Sequence, residues 1–386
     1  MNYVDVHLQG FPIEDVFVYR TSLYAWTFDG DLIVFSINDI ESIIRRELWD
    51  EPIVADGVCF LLFHSNRIGA KRFQYTSAQY LSGLGTDVNI KIDASLIPHN
   101  RFRTTIEADC LMDVMIYLDR MHLATDGGLF ELDLPRTVDE WSNEIVLERT
   151  LALPCYCSAA SLGALAASCG DEGLIVTFNN YESVRDVSPQ RVLVAEQSQR
   201  LTYGSGGLFN FTGRSSYQYL NGEILDTSPS DDLNRRSALI SLEPAHIIDS
   251  THGQQLSDSK IDYVMFARRR LVFLSDGQVL AVSLDKDPLG RKSSQEASVL
   301  GYYDRNPISI STTRSMLIIE SDEELVICAP DYESDDSTYV TTRWSCGPTI
   351  ALRTFPMSRR YLDLAIRTSE AGTHFYGLIA ASNGAV

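Results

Sequence analysis

A short apolar strand, an Asp-Gly turn and a second apolar strand follow one another in RLVFLSDGQVLAVSL, residues 270–284. Asp-Gly between two apolar runs is a strong hairpin signal, because glycine adopts a positive φ without steric clash. Similar hairpins, some with a variant of the turn, recur at residues 20–37, 120–134, 164–178, 214–226, 314–329 and 364–380. A chain that repeats one hairpin in this way is constrained to an all-β fold built from similar units.

The turns of these hairpins are almost evenly spaced. They fall at residues 29, 126, 171, 221, 276, 322 and 371, so that five of the six steps between them measure 45 to 55 residues. A repeat near 50 residues, with several strands in each unit, is the sequence signature of a propeller blade. The remaining step measures 97 residues and therefore marks an insertion.

The strands inside the repeat are apolar on both faces. Runs such as LVFL, MLII, DLIVF and GLIVTF lack the alternation of apolar and polar residues that a half-exposed strand shows. Short sheets that are covered on both sides contain strands of this kind. Parallel α/β sheets contain them too, but they need crossover helices of about ten residues or more, and the sequence has few helical stretches.

The turn in LVFLSDGQVLAVSL resembles the turn that joins the second and third strands of a blade in WD40-like propellers. This resemblance implies a β-propeller. With one blade for each hairpin, we predict an all-β β-propeller of seven four-stranded blades. The number rises to eight if the long step between the first two hairpins contains an irregular blade of its own.

Residues 38–112 occupy that long step. The run NDIESIIRRELWDE predicts a helix that is capped by Asp39 and carries Ile40, Ile43 and Ile44 on one face. Four strand-like runs follow it: VCFLLFHS, AKRFQYTS, DVNIKID and RFRTTIEA. The segment is either a small helix-containing insertion between the first and second blades or an irregular extra blade, and we favour the insertion.

The two ends of the chain both have the pattern of strands. Residues 2–9 read as one strand, and the run HFYGLIAAS, residues 374–382, leaves the last blade one strand short. An N-terminal strand that completes the last blade would remove open sheet edges, which invite aggregation. We therefore predict that residues 1–386 form a single β-propeller domain closed by the N-terminal strand.

The charge balance disfavours several classes of partner. The chain carries 52 acidic and 32 basic residues, a net charge of −20, and such a surface repels phosphate backbones and anionic lipids. No run approaches the roughly 18 apolar residues of a membrane-spanning helix. The acidic start is unlike a signal peptide, and the seven dispersed cysteines favour reduced thiols. We expect a cytoplasmic protein that binds neither nucleic acid nor membrane.

No run of the sequence specifies a metal or cofactor site. HIIDSTH places His246, Asp249 and His252 at steps of three, where a helix would bring metal ligands together, but its composition favours a strand end and a loop. The acidic run DYESDDS, residues 331–337, lacks the glycine and bidentate glutamate of a calcium loop. The glycine-rich run at residues 204–213 lacks the helix that follows a phosphate cradle. We expect no metal ion, no cofactor and no catalytic residue.

A propeller fold does not by itself decide the function. The absence of catalytic motifs and the acidic charge favour a non-enzymatic scaffold or complex subunit that binds protein partners, with a basic partner suited to the charge. One alternative is a hydrolase or lyase with a carboxylate-lined site at the propeller centre. A second alternative is an acidic inhibitor or immunity-type protein that binds a basic partner.

We predict that a partner protein contacts residues 38–112, the segment that departs from the repeat. The predicted helix in residues 38–112 carries Arg45, Arg46 and Trp49, and tryptophan and arginine are enriched among interface hot spots. The sharper hypothesis is that these three residues dock a protein. The alternative is that Trp49 packs the helix onto its blade while the two arginines pair with nearby acids.

Overall fold

A computed structural model defines the architecture. It describes residues 2–64, 87–106, 110–135, 141–178, 190–204, 207–213, 216–226, 237–244, 261–267, 270–275, 277–283, 298–303, 309–313, 317–321, 324–330, 339–345, 348–355, 360–361 and 363–379. Thirty strands and two α-helices lie in this part of the chain, so strands dominate the structure. No helix among these residues is long and apolar enough to cross a membrane.

The helices and strands are numbered in chain order. The first are β1 (Asn2–Gln9), β2 (Ile13–Tyr19), β3 (Ser22–Thr27), β4 (Leu32–Ser36), α1 (Ile37–Glu47), α2 (Pro52–Phe63), β5 (Val88–Asp93) and β6 (His99–Thr104). The next are β7 (Leu111–Tyr117), β8 (Arg120–Thr125), β9 (Gly128–Asp133), β10 (Glu144–Ile145), β11 (Glu148–Leu151), β12 (Cys157–Ser161), β13 (Ala164–Ser168), β14 (Leu174–Phe178) and β15 (Gln190–Ala195).

The second half of the chain contains fifteen further strands. They are β16 (Arg200–Gly204), β17 (Gly207–Gly213), β18 (Ser216–Asp226), β19 (Ser237–Pro244), β20 (Ile261–Ala267), β21 (Arg270–Ser275), β22 (Gln278–Ser283), β23 (Ser298–Tyr302), β24 (Ser309–Thr312), β25 (Leu317–Glu320), β26 (Glu324–Pro330), β27 (Tyr339–Ser345), β28 (Ala351–Thr354), β29 (Leu364–Ser369) and β30 (Gly372–Ile379).

The described strands form seven sheets, five with four strands and two with five. The chain divides into two compact units. Unit 1 comprises Met1–Thr105, Arg136–Ile145 and Leu300–Val386, and unit 2 comprises Ile106–Pro135 and Val146–Val299.

Unit 1 contains both five-stranded sheets. One has the order β10-β6-β4-β3-β2 and the other the order β28-β29-β30-β1-β5, and the four-stranded sheet β24-β25-β26-β27 also lies in this unit. The fifth strands, β10 and β5, each pair in parallel with their neighbours. These two edge strands are additions to the predicted four-stranded blades.

Unit 2 contains consecutive antiparallel sheets. Their orders are β11-β9-β8-β7, β12-β13-β14-β15 and β16-β17-β18-β19, followed by β20-β21-β22 with β23 at its edge. Alanine, valine and leucine side chains from β13 and β14 pack in one cluster with leucines from β16 to β19. Adjacent sheets of this unit therefore share their apolar faces, as the doubly apolar runs in the sequence predict.

Six of the seven predicted hairpins join adjacent antiparallel strands. Asp29, Asp126 and Asp171 lie in the turns β3–β4, β8–β9 and β13–β14, and Ala371 lies between β29 and β30. The predicted turn residues 276 and 322 lie outside the described residues, but β21 pairs with β22 and β25 pairs with β26 as expected. These hairpin predictions are confirmed.

Threonine hydroxyls close two of these turns in the same way. The backbone N–H of Asp31 donates to Thr27 Oγ1 at 3.1 Å, and that of Gly128 donates to Thr125 Oγ1 at 3.0 Å. Each hydroxyl also donates to the carbonyl oxygen of the same partner residue. The sequence repeat therefore corresponds to a repeated hydrogen-bond pattern at the turn.

The predicted turn at Asn221 is wrong. Asn221 and Gly222 lie inside the long strand β18, which pairs with β17 along its first half and with β19 along its second half. Hydrogen bonds to both neighbours thus hold the Asn-Gly pair extended, and this pairing outweighs its local preference for a turn. The hairpin turn lies earlier, where Gly213 pairs with Ser216.

The residues after β4 form two helices rather than one helix and a strand. α1 begins at Ile37 with Ser36 as its N-cap, so Asp39 lies in the first turn and is not the cap. The run VCFLLFHS lies almost entirely in α2 and not in a strand. A helix that is apolar on all sides has no periodic pattern to distinguish it from a buried strand. The run AKRFQYTS lies outside the described residues.

The rest of residues 38–112 extends two sheets of unit 1. β5 adds to β1 in parallel, from Val4 opposite Val88 to Gln9 opposite Asp93, and β6 pairs with β4. On its other edge β1 pairs antiparallel with β30. The N-terminal strand therefore lies inside the sheet that contains the C-terminal strand.

Candidate protein-docking site

The helices α1 and α2 rest on a large apolar core in unit 1. Isoleucines of α1 belong to one buried cluster with residues of β1, β5 and β30, and α2 adds Val58, Cys59, Leu61, Leu62 and Phe63 to it. Gly377 of β30 lies so close to α2 that an added Cβ would meet Leu61 at 2.7 Å. The two helices therefore form a fixed base for the connection between them.

A buried carboxylate connects the two helices. Glu41 of α1 accepts a hydrogen bond from Arg45 Nη1 at 3.2 Å, and its other oxygen lies 2.7 Å from His64 Nε2 at the end of α2. Burial favours the protonated carboxyl group, but the hydrogen bonds and charges of His64 and Arg45 outweigh burial and lower the pKa of Glu41. Glu41 is therefore an ionised link between α1 and α2.

The structure separates the two arginines that were predicted to dock a partner. Arg45 donates to Glu41 and, through Nε at 3.1 Å, to Asp56 of α2. Arg46 pairs only with its neighbour Glu47 among the described residues, at 3.4 Å, and both side chains are exposed. Arg45 therefore holds the helices together, whereas Arg46 is a surface residue. In both cases the arginine pairs with a nearby acid, as the alternative interpretation expects.

Trp49 follows the C-cap residue of α1 and lies in the connection to α2. Its side chain is 79% exposed, and Ile53 in the first turn of α2 is 60% exposed. Trp49 thus does not pack the helix onto the sheet, and that part of the alternative interpretation is wrong. Trp49, Pro52 and Ile53 are thus three exposed residues within five positions of the chain, and they are here called the Trp49 patch.

Acidic side chains border the Trp49 patch. Asp50 and Glu51 lie between Trp49 and Pro52, both are exposed, and neither carboxylate forms an ion pair with a described residue. The arginines nearby are already paired with acids. The patch therefore combines an apolar centre with a net negative border.

Comparison with solved structures identifies the fold. The β-propeller domain of Cps50 (Swd1) from Myceliophteria thermophila matches 97% of this chain and 98% of its own, with 8% sequence identity and a TM-score of 0.50. The chain is a seven-bladed β-propeller. The predicted fold class and the resemblance to WD40-like propellers, which is one of structure alone, are thus confirmed.

Two further propellers align over almost the whole chain at slightly lower scores. The computationally designed Ika8 protein has 9% identity and a TM-score of 0.48 over 97% of this chain and 99% of its own. YCF48, whose structure was determined with a D1 peptide bound, has 11% identity and a TM-score of 0.49 over 98% and 96%. No protein-family model and no curated protein matches the sequence.

Unit 2 of the propeller contains a polar pocket of about 590 Å³. It is lined by Asp171, Ala195, Glu196, Gln197, Thr212 and Gln218. The lining offers two carboxylates and two amides but no histidine or cysteine, so it suits a polar or cationic group better than an apolar side chain.

The two runs that the sequence analysis considered as metal sites and interpreted as loops lie outside the described residues. They are His246, Asp249 and His252 and the acidic run 331–337. Within the described ranges no three or more metal-binding side chains come together.

Sequence reasoning missed two parts of this site. Ile53 and Pro52 were not assigned to it, although the apolar residues in the acidic run ELWDEPI are a local signal for exposure. The link from Glu41 to His64 spans 23 residues and leaves no mark in the sequence, because it depends on how α1 and α2 pack.

Proposed function

We propose that this propeller is a non-enzymatic protein-binding subunit that docks a partner at the Trp49 patch. The observation that carries the proposal is that Trp49 and Ile53, four residues apart where α1 leads into α2, are both exposed although the two helices bury their apolar faces in the core. Tryptophan is prominent among interface hot spots, where truncation costs about 2 kcal/mol or more. An exposed tryptophan, by contrast, contributes little to the free energy of folding.

The base of the patch supports a docking role. Binding is weakened when loops and side chains must become ordered, and a surface that is already fixed avoids part of that loss. The Glu41, Arg45 and Asp56 contacts and the apolar core below the helices hold the connection in place. Trp49 is therefore presented from a rigid support.

The charges around the patch favour a basic partner segment. Asp50 and Glu51 border the apolar centre without ion-pair partners among the described residues, and the whole chain has a net charge of −20. A segment with an apolar side chain flanked by lysine or arginine complements both features. In this proposal Trp49 is the central contact and Arg46 lies at the rim.

The test is a comparison of two variants as baits in the native host. The double variant Trp49→Ala, Ile53→Ser removes the patch, and Val146→Ala removes an equally exposed apolar side chain in unit 2. Surface changes of this kind should alter stability by less than about 0.5 kcal/mol. We expect a partner that the wild-type chain and the Val146 variant recover and that the double variant does not.

The recovered partner is then purified and titrated against each variant by calorimetry. We expect the affinity for the double variant to fall by at least about 30-fold, which corresponds to about 2 kcal/mol, and the wild-type affinity to weaken with added salt. Recovery and affinity that are undiminished in the double variant would overturn the proposal. Arg45 is unsuitable for this test, because its replacement also breaks the contact between the helices.

A further inference from the structure

Cys155 and Cys169, which are 14 residues apart in the sequence, lie side by side in unit 2. The Sγ atoms of Cys155 and Cys169 are 3.6 Å apart, and both residues are buried in an apolar cluster with Ala124, Leu129 and Leu165. All six cysteines in the described part of the chain are free thiols. The pair is unrelated to the docking function and carries an inference of its own.

Backbone hydrogen bonds fix the two sulfur atoms in this position. The N–H of Cys155 donates to the carbonyl oxygen of Thr125, and the N–H of Tyr156 donates to that of Ser168, both at 2.8 Å. The N–H of Cys169 donates to Gly173 O at 2.9 Å. A disulfide bond is about 2.05 Å long, so the two sulfurs need to approach by only about 1.5 Å.

The two thiols also differ in reactivity. The hydrogen bond from Cys155 lowers the pKa of the Cys169 thiol, whereas the same contact and burial raise the pKa of Cys155. The thiolate is the nucleophile that attacks peroxide. Cys169 is therefore the residue of the pair that attacks first.

We propose that Cys155 and Cys169 are a modification site that forms a reversible disulfide when hydrogen peroxide, an oxidant about the size of a water molecule, reaches the buried thiols. The Cys169 thiolate attacks one oxygen of the peroxide, whose O–O bond breaks. Cys169 becomes a sulfenic acid, and the released hydroxide takes up the proton that Cys169 had lost. Cys155 Sγ then attacks Cys169 Sγ, the S–O bond breaks, and the leaving hydroxide takes the proton of Cys155. The protein loses two hydrogens as two protons and two electrons, and the peroxide becomes two water molecules.

The bond would restrain one turn of unit 2. Gly170, next to Cys169, exchanges two backbone hydrogen bonds with Ser198, at 2.6 and 2.9 Å, and the following residue, Asp171, lines the polar pocket. A link from Cys169 back to Cys155, two residues before β12, closes a loop that contains β12 and β13. Oxidation would therefore fix the backbone beside that pocket.

Mass spectrometry of the intact chain tests the proposal. The folded protein is incubated with hydrogen peroxide, its remaining thiols are alkylated with iodoacetamide, and it is digested without reductant. Chymotrypsin cuts after Tyr156, Leu162 and Leu165, which separates Cys155, Cys157 and Cys169. We expect a linked peptide pair that contains Cys155 and Cys169, absent after treatment with dithiothreitol.

Variants supply the controls. Cys157→Ser should leave the linked pair unchanged, and Cys155→Ser should instead leave Cys169 as a sulfenic or sulfinic acid or as an alkylated thiol. Exposed Cys110 reports that the oxidant was active, because its thiol should be oxidised. Recovery of both Cys155 and Cys169 as alkylated thiols while Cys110 is modified would overturn the proposal, as would a link from Cys155 to Cys157.

Discussion

His7 and His374 lie directly opposite each other on the antiparallel strands β1 and β30, and their imidazole rings stack with centroids 3.9 Å apart. The same row of the sheet continues to Arg367 on β29 and to Lys91 on β5. Asp5 accepts a hydrogen bond from His374 Nδ1 at 3.0 Å. Two neutral rings stack favourably in this row, whereas two protonated rings would repel each other.

Acidification should therefore weaken the pairing of β1 with β30. Burial, followed by the charge of His374, lowers the pKa of His7 below its ordinary value of 6.5. The unfolded chain thus binds a proton at a pH where the folded chain does not, so stability is complete above about pH 6.5 and falls as the pH drops towards the lowered pKa. We expect the melting temperature of the wild-type protein to fall between pH 7.5 and 5.5.

The variant His7→Gln isolates this effect. Glutamine can still donate to the carbonyl oxygen of Ala371, which lies 2.9 Å from His7 Nε2, but it does not titrate. The variant should lose less stability over the same pH range than the wild-type protein does. Equal losses in the two proteins would show that other groups cause the acid sensitivity.

Removal of the charge on Glu41 should destabilise unit 1. In the variant Glu41→Gln the side chains of Arg45 and His64 lose a charged acceptor, and hydrogen bonds to charged groups contribute about 1.5–3 kcal/mol. We expect a loss of this size in the free energy of unfolding, measured by urea denaturation. The control Glu47→Gln affects only the exposed pair with Arg46 and should change stability by less than about 0.5 kcal/mol. Similar values for the two variants would contradict this role of Glu41.

The forked contact of Arg353 with Asp15 should not tolerate lysine. Arg353 donates from both Nε and Nη2 to the buried carboxylate of Asp15, which connects β28 with β2. Lysine keeps the charge but cannot form two parallel hydrogen bonds. We expect Arg353→Lys to lower stability by about 1–2 kcal/mol and Arg343→Lys, at a longer and more exposed ion pair with Glu324, to have little effect. Calorimetric unfolding of both variants measures this difference, and equal losses of stability would contradict it.

Two turn glycines should respond differently to alanine. Gly30 has a φ of +78° with no atom within 4 Å of an added Cβ, whereas Gly128 has a φ of +144° and its Cβ would lie 2.2 Å from the carbonyl oxygen of Leu151. Gly30→Ala should therefore cost about 1–2 kcal/mol from the backbone alone. Gly128→Ala adds a clash with a strand and should cost at least about 2 kcal/mol more. Equal chemical denaturation midpoints would refute this difference.

The fold could be predicted because its main signal is local. An Asp-Gly turn between apolar runs depends on a few adjacent residues, so the hairpins at Asp29 and Asp126 are visible without knowledge of their surroundings. Asn221 shows the limit of this signal, since pairing of β18 on both edges outweighs the turn preference of Asn-Gly.

The site could be predicted only in part, because its contacts are not local. The helix that leads to Trp49 has a periodic apolar face and was expected, but the buried α2 has no such pattern and was interpreted as a strand. The exposure of Trp49 depends on the angle at which α1 meets α2. The proximity of Cys155 to Cys169 likewise depends on the register of β12 with β13, which spacing in the sequence does not reveal.

The pairing of β1 with β30 has a consequence for synthesis on the ribosome. β30 begins at Gly372, more than 360 residues after β1 ends at Gln9. A ribosome adds roughly 5–20 residues per second, so β30 is synthesised about 20–70 s after β1. β5 emerges much earlier and pairs in parallel with the other edge of β1. During elongation the nascent chain therefore carries one open strand edge of β1, a potential site of aggregation, until its last blade is translated.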